Sequence, residues 1–418
     1  MLCFVMRACK FVKMSKPLAA MCGLGVISLC AQVPQVSDAE EQRRRTQRDS
    51  EERQRLQQSP NVRLQSLEPI QEDENSLSLP TETPSFKIDR FVLEVPKQLP
   101  PAIRSKGASE GSFDPFHFAL VYLRQYSGRQ IGPEGLNAIV RRLTRLILTK
   151  GYSTTRVGIP EQDLSSGKLT LTLIPGVVRA IRFSDHSIRG TWKNAFPLAS
   201  GDLLNVRDLE QGLEQMKRLP GRDVDIDIVP GALPGESDIV LSVKRGKPWR
   251  LTANLDDSGM HPTGQWQGGL TMALDNPLGI SDVFNAGWTH DATRYRKGSG
   301  TRGTNLYYSV PIGFWTLTST WNEYDYEQRI AGINQDFVSS GDSQNIDFKI
   351  AYLFHRNQTM KDTLQFRTGN RRSRSFLDNT ELDVQRRRNS FAELSLVHMH
   401  YLGQAQLDVT ATYRQGVN

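Results

Sequence analysis

GDLLNVRDLEQGLEQMKRLPG (residues 201–221), RDVDIDIVPG (222–231), SDIVLSVKRG (237–246), KPWRLTANLDDSG (247–259) and LTMALDNPLGISD (270–282) decide the fold. Asn205 stands where a helix N-cap belongs, and Val206, Leu209, Leu213 and Met216 follow at helical spacing. Two alternating segments, RDVDIDIV and SDIVLSV, then read as paired strands. Up to Pro248 this is the pattern of a small soluble α/β module. Beyond it, Leu251, Ala253 and Leu255 share one face, as do Trp266, Leu270, Met272 and Leu274. Strands of about ten residues with one apolar and one wet face predict a barrel in lipid.

A length of 418 residues leaves room for two or more domains. With 38 % hydrophobic and 23 % charged residues the chain is too polar for a bundle of membrane helices. Barrel strands escape that test because lumen-facing polar residues alternate with lipid-facing apolar ones. The net charge of +7 is mild for the length and names no partner.

All four cysteines, Cys3, Cys9, Cys22 and Cys30, lie at the N-terminus, among Arg7, Lys10, Lys13 and Lys16 and the run PLAAMCGLGVISLCA. A basic segment, a short apolar run and small residues near Ala31 predict a secretory signal peptide over 1–31, with Met14 a second well-formed start. The run is too short for a spanning helix. Cleavage near Ala31 leaves a chain without cysteine, which excludes thiol catalysis, disulfides and cysteine-ligated metal.

Residues 38–58, DAEEQRRRTQRDSEERQRLQQ, are polar on every face, with Glu40–Arg44, Glu41–Arg45, Asp49–Arg53 and Glu51–Arg55 in the favourable acid-first order. Such a helix sits in water or a wet cavity; a solvated tail is the equal alternative. Its charges cancel, so nucleic acid is not expected as a partner. Residues 59–84 are rich in Ser, Pro, Glu and Gln and predict a flexible linker. From Ser85 the order is strand (FKIDRFVLEV), helix opened by Asp114-Pro115, helix from Pro133 to Lys150-Gly151, and two strands (STTRVGI, KLTLTLIPG). Leu136, Ile139, Val140, Leu143 and Ile147 line one face of the second helix. The pattern then repeats in shorter form: VVRAIRFS, the turn or short helix TWKNAFP, the helix at 205–218 and its two strands.

GYSTTRVGIPEQDLSSGKLTLTLIPG and LLNVRDLEQGLEQMKRLPG…IVPGALPGESDIVLSV resemble the two POTRA domains of two-partner secretion transporters. This is the TpsB group of haemolysin activation/secretion proteins and filamentous-haemagglutinin transporters. The resemblance runs from the polar helix to the last residue. It implies an α+β part of two tandem POTRA (β-α-α-β-β) domains, 85–176 and 177–247, followed by a membrane all-β part. That part, 248–418, would be an antiparallel transmembrane β-barrel of sixteen strands. Residues 32–58 would hold the plug helix, with Arg44, Arg45, Arg48, Glu51 and Arg53 on it. The implied activity is translocation of a large secreted exoprotein, the TpsA partner, taken up unfolded in the periplasm. The implied surroundings are outer-membrane lipid and lipopolysaccharide of a Gram-negative bacterium, with the barrel-assembly machinery acting during biogenesis. A BamA-like insertase is the alternative, although it usually carries more POTRA repeats and no polar plug helix.

Strands are expected near 249–257, 264–274, 281–291, 303–311, 313–326, 344–356 and 360–372, then one long strand over 381–402 and a ninth over 405–415. The even-numbered turns, DNPLGIS, PIG and NQT, are short; DSGMHPT, ATRYRKGSGTRG and 327–343 are longer. Periplasmic turns of barrels are the short ones, so the first strand runs outward and the POTRA units lie in the periplasm. Trp249, Trp266, Trp315, Trp321, Tyr324 and Tyr326 read as interfacial aromatics. Nine of sixteen strands, no VRG tripeptide and an ending RQGVN give the expectation of a C-terminally truncated chain, and a non-functional fragment is a further alternative.

No Walker A or HExxH motif occurs. Lys297-Gly298-Ser299-Gly300 precedes no helix, and His398 and His400 share a strand face with no third ligand nearby. No catalytic site, metal or cofactor is expected. The candidate site is instead a pair of edge strands, 153–159 and 222–229, beside the helices at 133–150 and 205–218. An extended client adds to such an edge by main-chain pairing, and Val157, Ile159, Ile226 and Ile228 are the apolar candidates for its side chains.

Overall fold

The computed structural model describes residues 2–9, 62–64, 77–107, 114–259, 261, 263–292, 299–333, 335–403 and 405–417. The polar segment 38–58, with Arg44, Arg45, Arg48, Glu51 and Arg53, lies outside the described residues. Leu2–Cys9 forms a strand, β1.

Two small modules follow. The first contains β2 (Phe86–Ile88), β3 (Arg90–Glu94), α1 (Pro101–Arg104), α2 (His117–Arg124), β4 (Arg129–Ile131), α3 (Pro133–Thr149), β5 (Arg156–Gly158) and β6 (Lys168–Ile174). The expected single strand FKIDRFVLEV is broken at Asp89. β2 pairs antiparallel with β4, while β3 pairs parallel with β6. The break is fixed by Gly167, whose carbonyl accepts from both Asp89 N (2.9 Å) and Arg90 N (3.1 Å). Asp114 does not cap α2 itself. Its Oδ1 accepts from Phe116 N (2.8 Å), one turn earlier, and the helix begins at His117. Alternation along β6 buries Leu169, Leu171 and Leu173 completely, against Leu136, Ile139, Leu143 and Ile147 of α3.

The second module contains β7 (Val177–Phe183), α4 (Val206–Lys217), β8 (Arg222–Pro230) and β9 (Glu236–Arg245), in the order β7-β9-β8. Asn205 caps α4 as its position predicts, accepting from Arg207 N at 2.9 Å. Val206, Leu209, Leu213 and Met216 are all buried, the last three against Val224, Ile239 and Leu241. TWKNAFP is a turn that drops Phe196 onto this core, and α4 carries a glycine, Gly212, where a β-carbon would lie 2.2 Å from the Phe196 ring.

The modules are closely joined. β6 and β7 are separated only by Pro175 and Gly176, and the short helix α1, which the sequence pattern does not reveal, buries Ile103 with Leu99 and Val177 across the seam. At the end of α3, Gly151 adopts φ +98° and touches Asn205, so a side chain there would meet both a strained backbone and the cap of α4. Its carbonyl accepts from Val206 N (2.9 Å).

The rest is one antiparallel sheet. Its strands are β10 (Trp249–Asp256), β11 (Gln267–Asp275), β12 (Val283–Asp291), β13 (Gly300–Ile312), β14 (Trp315–Ala331), β15 (Asp336–Arg356), β16 (Met360–Leu377), β18 (Arg387–Leu402) and β19 (Ala405–Val417). The short β17 (Thr380–Glu381) folds back on β16, and β1 pairs with β19. The eighth strand, expected over 381–402, starts only at Arg387, because Thr380–Glu381 folds back as β17 and Asp383–Gln385 forms a single 3-10 turn. Segment 327–343, read from the sequence as a loop, is mostly strand, since β14 and β15 stay paired from Trp315↔Tyr352 to Ala331↔Asp336. The polar residues that suggested a loop continue the ladder beyond the apolar band.

Register shows which face is which. Leu251, Met272, Leu306, Trp321, Ile346, Phe366, Leu394 and Tyr413 fall on one side through the pairings Leu251↔Met272, Leu306↔Trp321, Trp321↔Ile346, Phe366↔Leu394 and Leu394↔Tyr413. Leu251 and Leu255 on this face are 59 % and 65 % exposed. An apolar face left this bare is a lipid face. Trp249, Trp266 and Trp315 fit the interfacial role, and Trp315 stacks on Tyr352 at 4.3 Å. Tyr324 and Tyr326 do not: the period of two turns them to the opposite, wet face, where both are buried.

Candidate functional site: edge strands, junction and pore wall

Each module's sheet ends in a strand with one side unpaired. In the first it is β5, antiparallel to β6 and beside α3; in the second it is β8, antiparallel to β9 and beside α4. β5 is shorter than expected, only Arg156–Gly158, so Ile159 lies just past its end. Val157 is half-buried against the first core, and Ile159 is exposed. Ile226 is half-buried against the second core, and Ile228 is exposed. Thus one residue of each pair is anchored and the other is open to water. The opposite face of β8 carries Asp223 and Asp225, both reached by Lys217 of α4 (3.1 and 3.5 Å). The Lys217 ammonium holds the Asp223 carboxyl below its ordinary pKa.

Sequence reasoning places the junction between the second module and the sheet at Pro248 but misses the contacts that fix it. The three short turns of the barrel half all face this module. Thr191 N donates to Gly279 O (2.8 Å), Gly313 N to Asn194 O (2.6 Å), and Gln215 Nε2 to Thr316 Oγ1 (3.1 Å). The third turn ends in a buried charge network. Arg356, 4 % exposed, reaches Glu210 Oε2 (3.3 Å), Gln211 Oε1 (3.1 Å) and Glu214 Oε2 (2.9 Å), and it donates to Val62 O (2.6 Å). Lys361 reaches Glu214 (2.5 Å), and Arg207 reaches Glu210 (2.8 Å). Leu64 N donates to Glu210 Oε1 (2.9 Å), and Arg63 lies 4.3 Å over the Tyr401 ring.

Residues 62–64 are therefore not a free tether. They are clamped between α4 and the sheet, with Val62 in the second core. The other described part of the linker is docked as well: Glu82 accepts from Glu134 N and Gly135 N (2.9 and 2.7 Å) at the start of α3. Composition showed the linker's polarity but not these partners, which are distant in sequence. Glu210 and Glu214 at (i, i+4) on a helix with a separate apolar stripe were the one available hint.

In the first turn of α4, burial pushes the Asp208 carboxyl from its ordinary 3.8 up to about 6, with Asp202 adding to the rise and Arg356 opposing it. Burial outweighs the favourable helix N-terminus. A raised carboxyl pKa means the folded state holds the proton more tightly. This contribution is complete below pH about 4 and is lost as pH rises through about 6. Asp208→Asn is expected to gain stability relative to the parent across that window. Thermal melts of both proteins at about pH 4.5 and 7 check it, and an unchanged difference between them would contradict the burial.

The wet face of the sheet is lined by Thr316, Thr318, Thr320, Lys349, Arg367, Arg371 and Arg414. Arg414 lies 3.7 Å over the Phe391 ring, and Arg367 pairs with Asp347 (3.1 Å). This is a polar, mixed-charge wall. Gly300 opens the strand β13, and Lys297 and Gly298 of the glycine-rich stretch lie outside the described residues. No group of three or more metal-ligating side chains occurs among the described residues.

Comparison with known proteins follows this division. Residues 103–176 match the ShlB-type POTRA domain, 177–230 a POTRA domain, and 235–418 the haemolysin secretion/activation protein ShlB/FhaC/HecB. The outer membrane transporter CdiB-2 of Burkholderia pseudomallei (strain 1026b) is 45 % identical over 90 % of this chain and 64 % of its own length. The hemolysin transporter protein ShlB of Serratia marcescens is 31 % identical over 69 % of this chain and 51 % of its own. The chain thus spans about half to two thirds of the length of these relatives. Among solved structures, CdiB from Acinetobacter baumannii superposes with a TM-score of 0.77 at 25 % identity, covering 90 % of this chain and 70 % of that one. CdiB from Escherichia coli gives 0.74 at 25 % identity, covering 93 % and 69 %. Two POTRA modules on the periplasmic rim of a lipid-facing sheet, with these homologues, identify the chain as two POTRA domains followed by a ShlB/FhaC/HecB family domain, similar over this span to outer-membrane transporters.

Proposed function

We propose that the chain carries a secreted TpsA-type exoprotein across the outer membrane, its POTRA edges taking the client unfolded and passing it to the wet face of the sheet. The observation that supports this most is the layout: two unpaired edges, β5 and β8, with β8 in the module that meets three of the barrel turns, two of them through its helix α4. Main-chain pairing to an edge reads extended backbone more than side-chain identity, which suits a client that has not folded. The half-buried Val157 and Ile226 keep each edge anchored to its core, while Ile159 and Ile228 offer exposed apolar contacts. No ATP site is needed, because folding of the client outside biases its movement outward.

Arg156→Pro removes one main-chain N–H from the β5 edge, whereas Arg156→Ala keeps it. Pull-down of an unfolded N-terminal segment of the secreted partner is expected to fail with Arg156→Pro and succeed with Arg156→Ala. Capture retained by a folded Arg156→Pro chain would remove β5 from the client's path.

A further inference from the structure

A cleft of about 610 Å³ lies at the outer side of the junction, lined among others by Arg189, Arg222, Arg245, Pro248, Asp275 and Leu278. Its walls are held by hydrogen bonds between elements distant in sequence. Gly246 N donates to Gly221 O (2.8 Å), Asp275 N to Pro248 O (2.8 Å), and Gly221 N to Asp275 Oδ2 (2.7 Å). Gly190 packs against Gly279 so tightly that a β-carbon on Gly190 would lie 2.5 Å from the Gly279 carbonyl oxygen. The cleft is therefore preformed.

Three arginines line it from three places: Arg189 in the loop after β7, Arg222 at the start of β8 and Arg245 at the end of β9, whose guanidinium also donates to Ser187 Oγ (2.8 Å). Their countercharges are few. Asp185 is 3.4 Å from Arg245, but both side chains are about half exposed, at 57 % and 44 %, so the pair is weak. The Asp275 carboxylate is engaged by Gly221 N. Arg222 is half withdrawn from water, and burial, then the neighbouring Arg245, push its pKa down against Asp275 and Asp282.

The apolar side of the cleft adjoins the lipid face. Leu278 in the first short turn is 69 % exposed, and Pro248 leads directly into Trp249, 53 % exposed. Lys247 places its ammonium 6.0 Å over the Trp249 ring. An interfacial tryptophan marks the level of lipid headgroups.

We propose that this cleft binds the headgroup phosphate of an anionic phospholipid in the periplasmic leaflet, phosphatidylglycerol in the simplest case. The arginine forks meet the phosphodiester oxygens in the manner guanidinium suits, and the acyl chains run along Leu278, Trp249 and Leu251. Free phosphate offers the same oxygens but nothing for the apolar side, so the lipid is the occupant the site fits. The function of such a site is to hold the module-barrel junction at a fixed depth in the membrane.

Native mass spectrometry of the full chain in neutral detergent, titrated with phosphatidylglycerol, phosphatidylcholine or inorganic phosphate, tests this. Phosphatidylglycerol is expected to be retained, and phosphatidylcholine not. Loss of one charge-assisted contact in Arg222→Gln is expected to lower its retention about tenfold or more. Arg189→Gln, at an exposed position, is expected to lower it in the same direction without disturbing the fold, and Lys87→Gln in the first module to leave it unchanged. Equal retention of the two lipids would overturn the proposal, as would retention unaffected by both arginine variants. Displacement of the lipid by equimolar inorganic phosphate would assign the site to a soluble anion and overturn the membrane reading.

Discussion

Arg356→Ala is expected to cost about 3–5 kcal/mol at the seam between the second module and the sheet, the range for removing one partner from a buried charge network. The guanidinium is 4 % exposed and serves Glu210 and Glu214, which are 1 % and 15 % exposed. Removal leaves both carboxylates buried, with only Arg207 and Lys361 to offset them, so the lower part of the range applies. Arg356→Lys is expected to recover little, because a single ammonium cannot reach Gln211, Glu210, Glu214 and the Val62 carbonyl together. Amide hydrogen exchange gives the direct reading. The Leu64 amide, now bonded to Glu210, and the turn at 357–359 are expected to lose protection while the interior of β15 keeps it. Full protection of Leu64 in the variant would show that the clamp does not depend on Arg356.

Phe116→Ala is expected to destabilise the first module by about 3–5 kcal/mol, as truncation of a fully buried aromatic ring does. Phe116 is 0 % exposed and lies 4.8 Å from the Tyr152 ring and 6.2 Å from that of Phe118. Its partners all belong to the first core, so the loss is expected to stay there. Separate unfolding of residues 85–176, with the second module and sheet unchanged in limited proteolysis, would support that segment as a domain. The seam through Ile103, Leu99 and Val177 is the one route by which the loss could spread. Cooperative loss of both modules would mean that this seam makes them a single unit.

Much of this architecture is legible in the residues. The period-two alternation of β10 to β19 fixes face and register, because a slip of one residue would turn every apolar side chain into the lumen. The stripe at Val206, Leu209, Leu213 and Met216 fixes α4, and the short turns fix which end of the sheet meets the modules. What stayed hidden rests on long-range partners or on short elements. α1 is four residues long and β5 three, too short to show a period. Tyr324 and Tyr326 look interfacial by position, yet parity sends them inward. Of the candidate site, the edges and their helices follow from the strand order. The clamp on residues 62–64 does not, because Arg356 is one arginine among many until the turn at 357–359 brings it to Glu210 and Glu214.

The central claim is that a client passes from the POTRA edges to the wet face of the sheet. Photo-crosslinkers at Ile228 on the β8 edge, and at Thr320 and Lys349 on the wet face, test it in cells secreting the partner exoprotein. The account predicts crosslinks to the client from all three positions, and none from Phe348 or Leu394 on the lipid face. A client that reaches the cell surface without touching Ile228, Thr320 or Lys349 would contradict it.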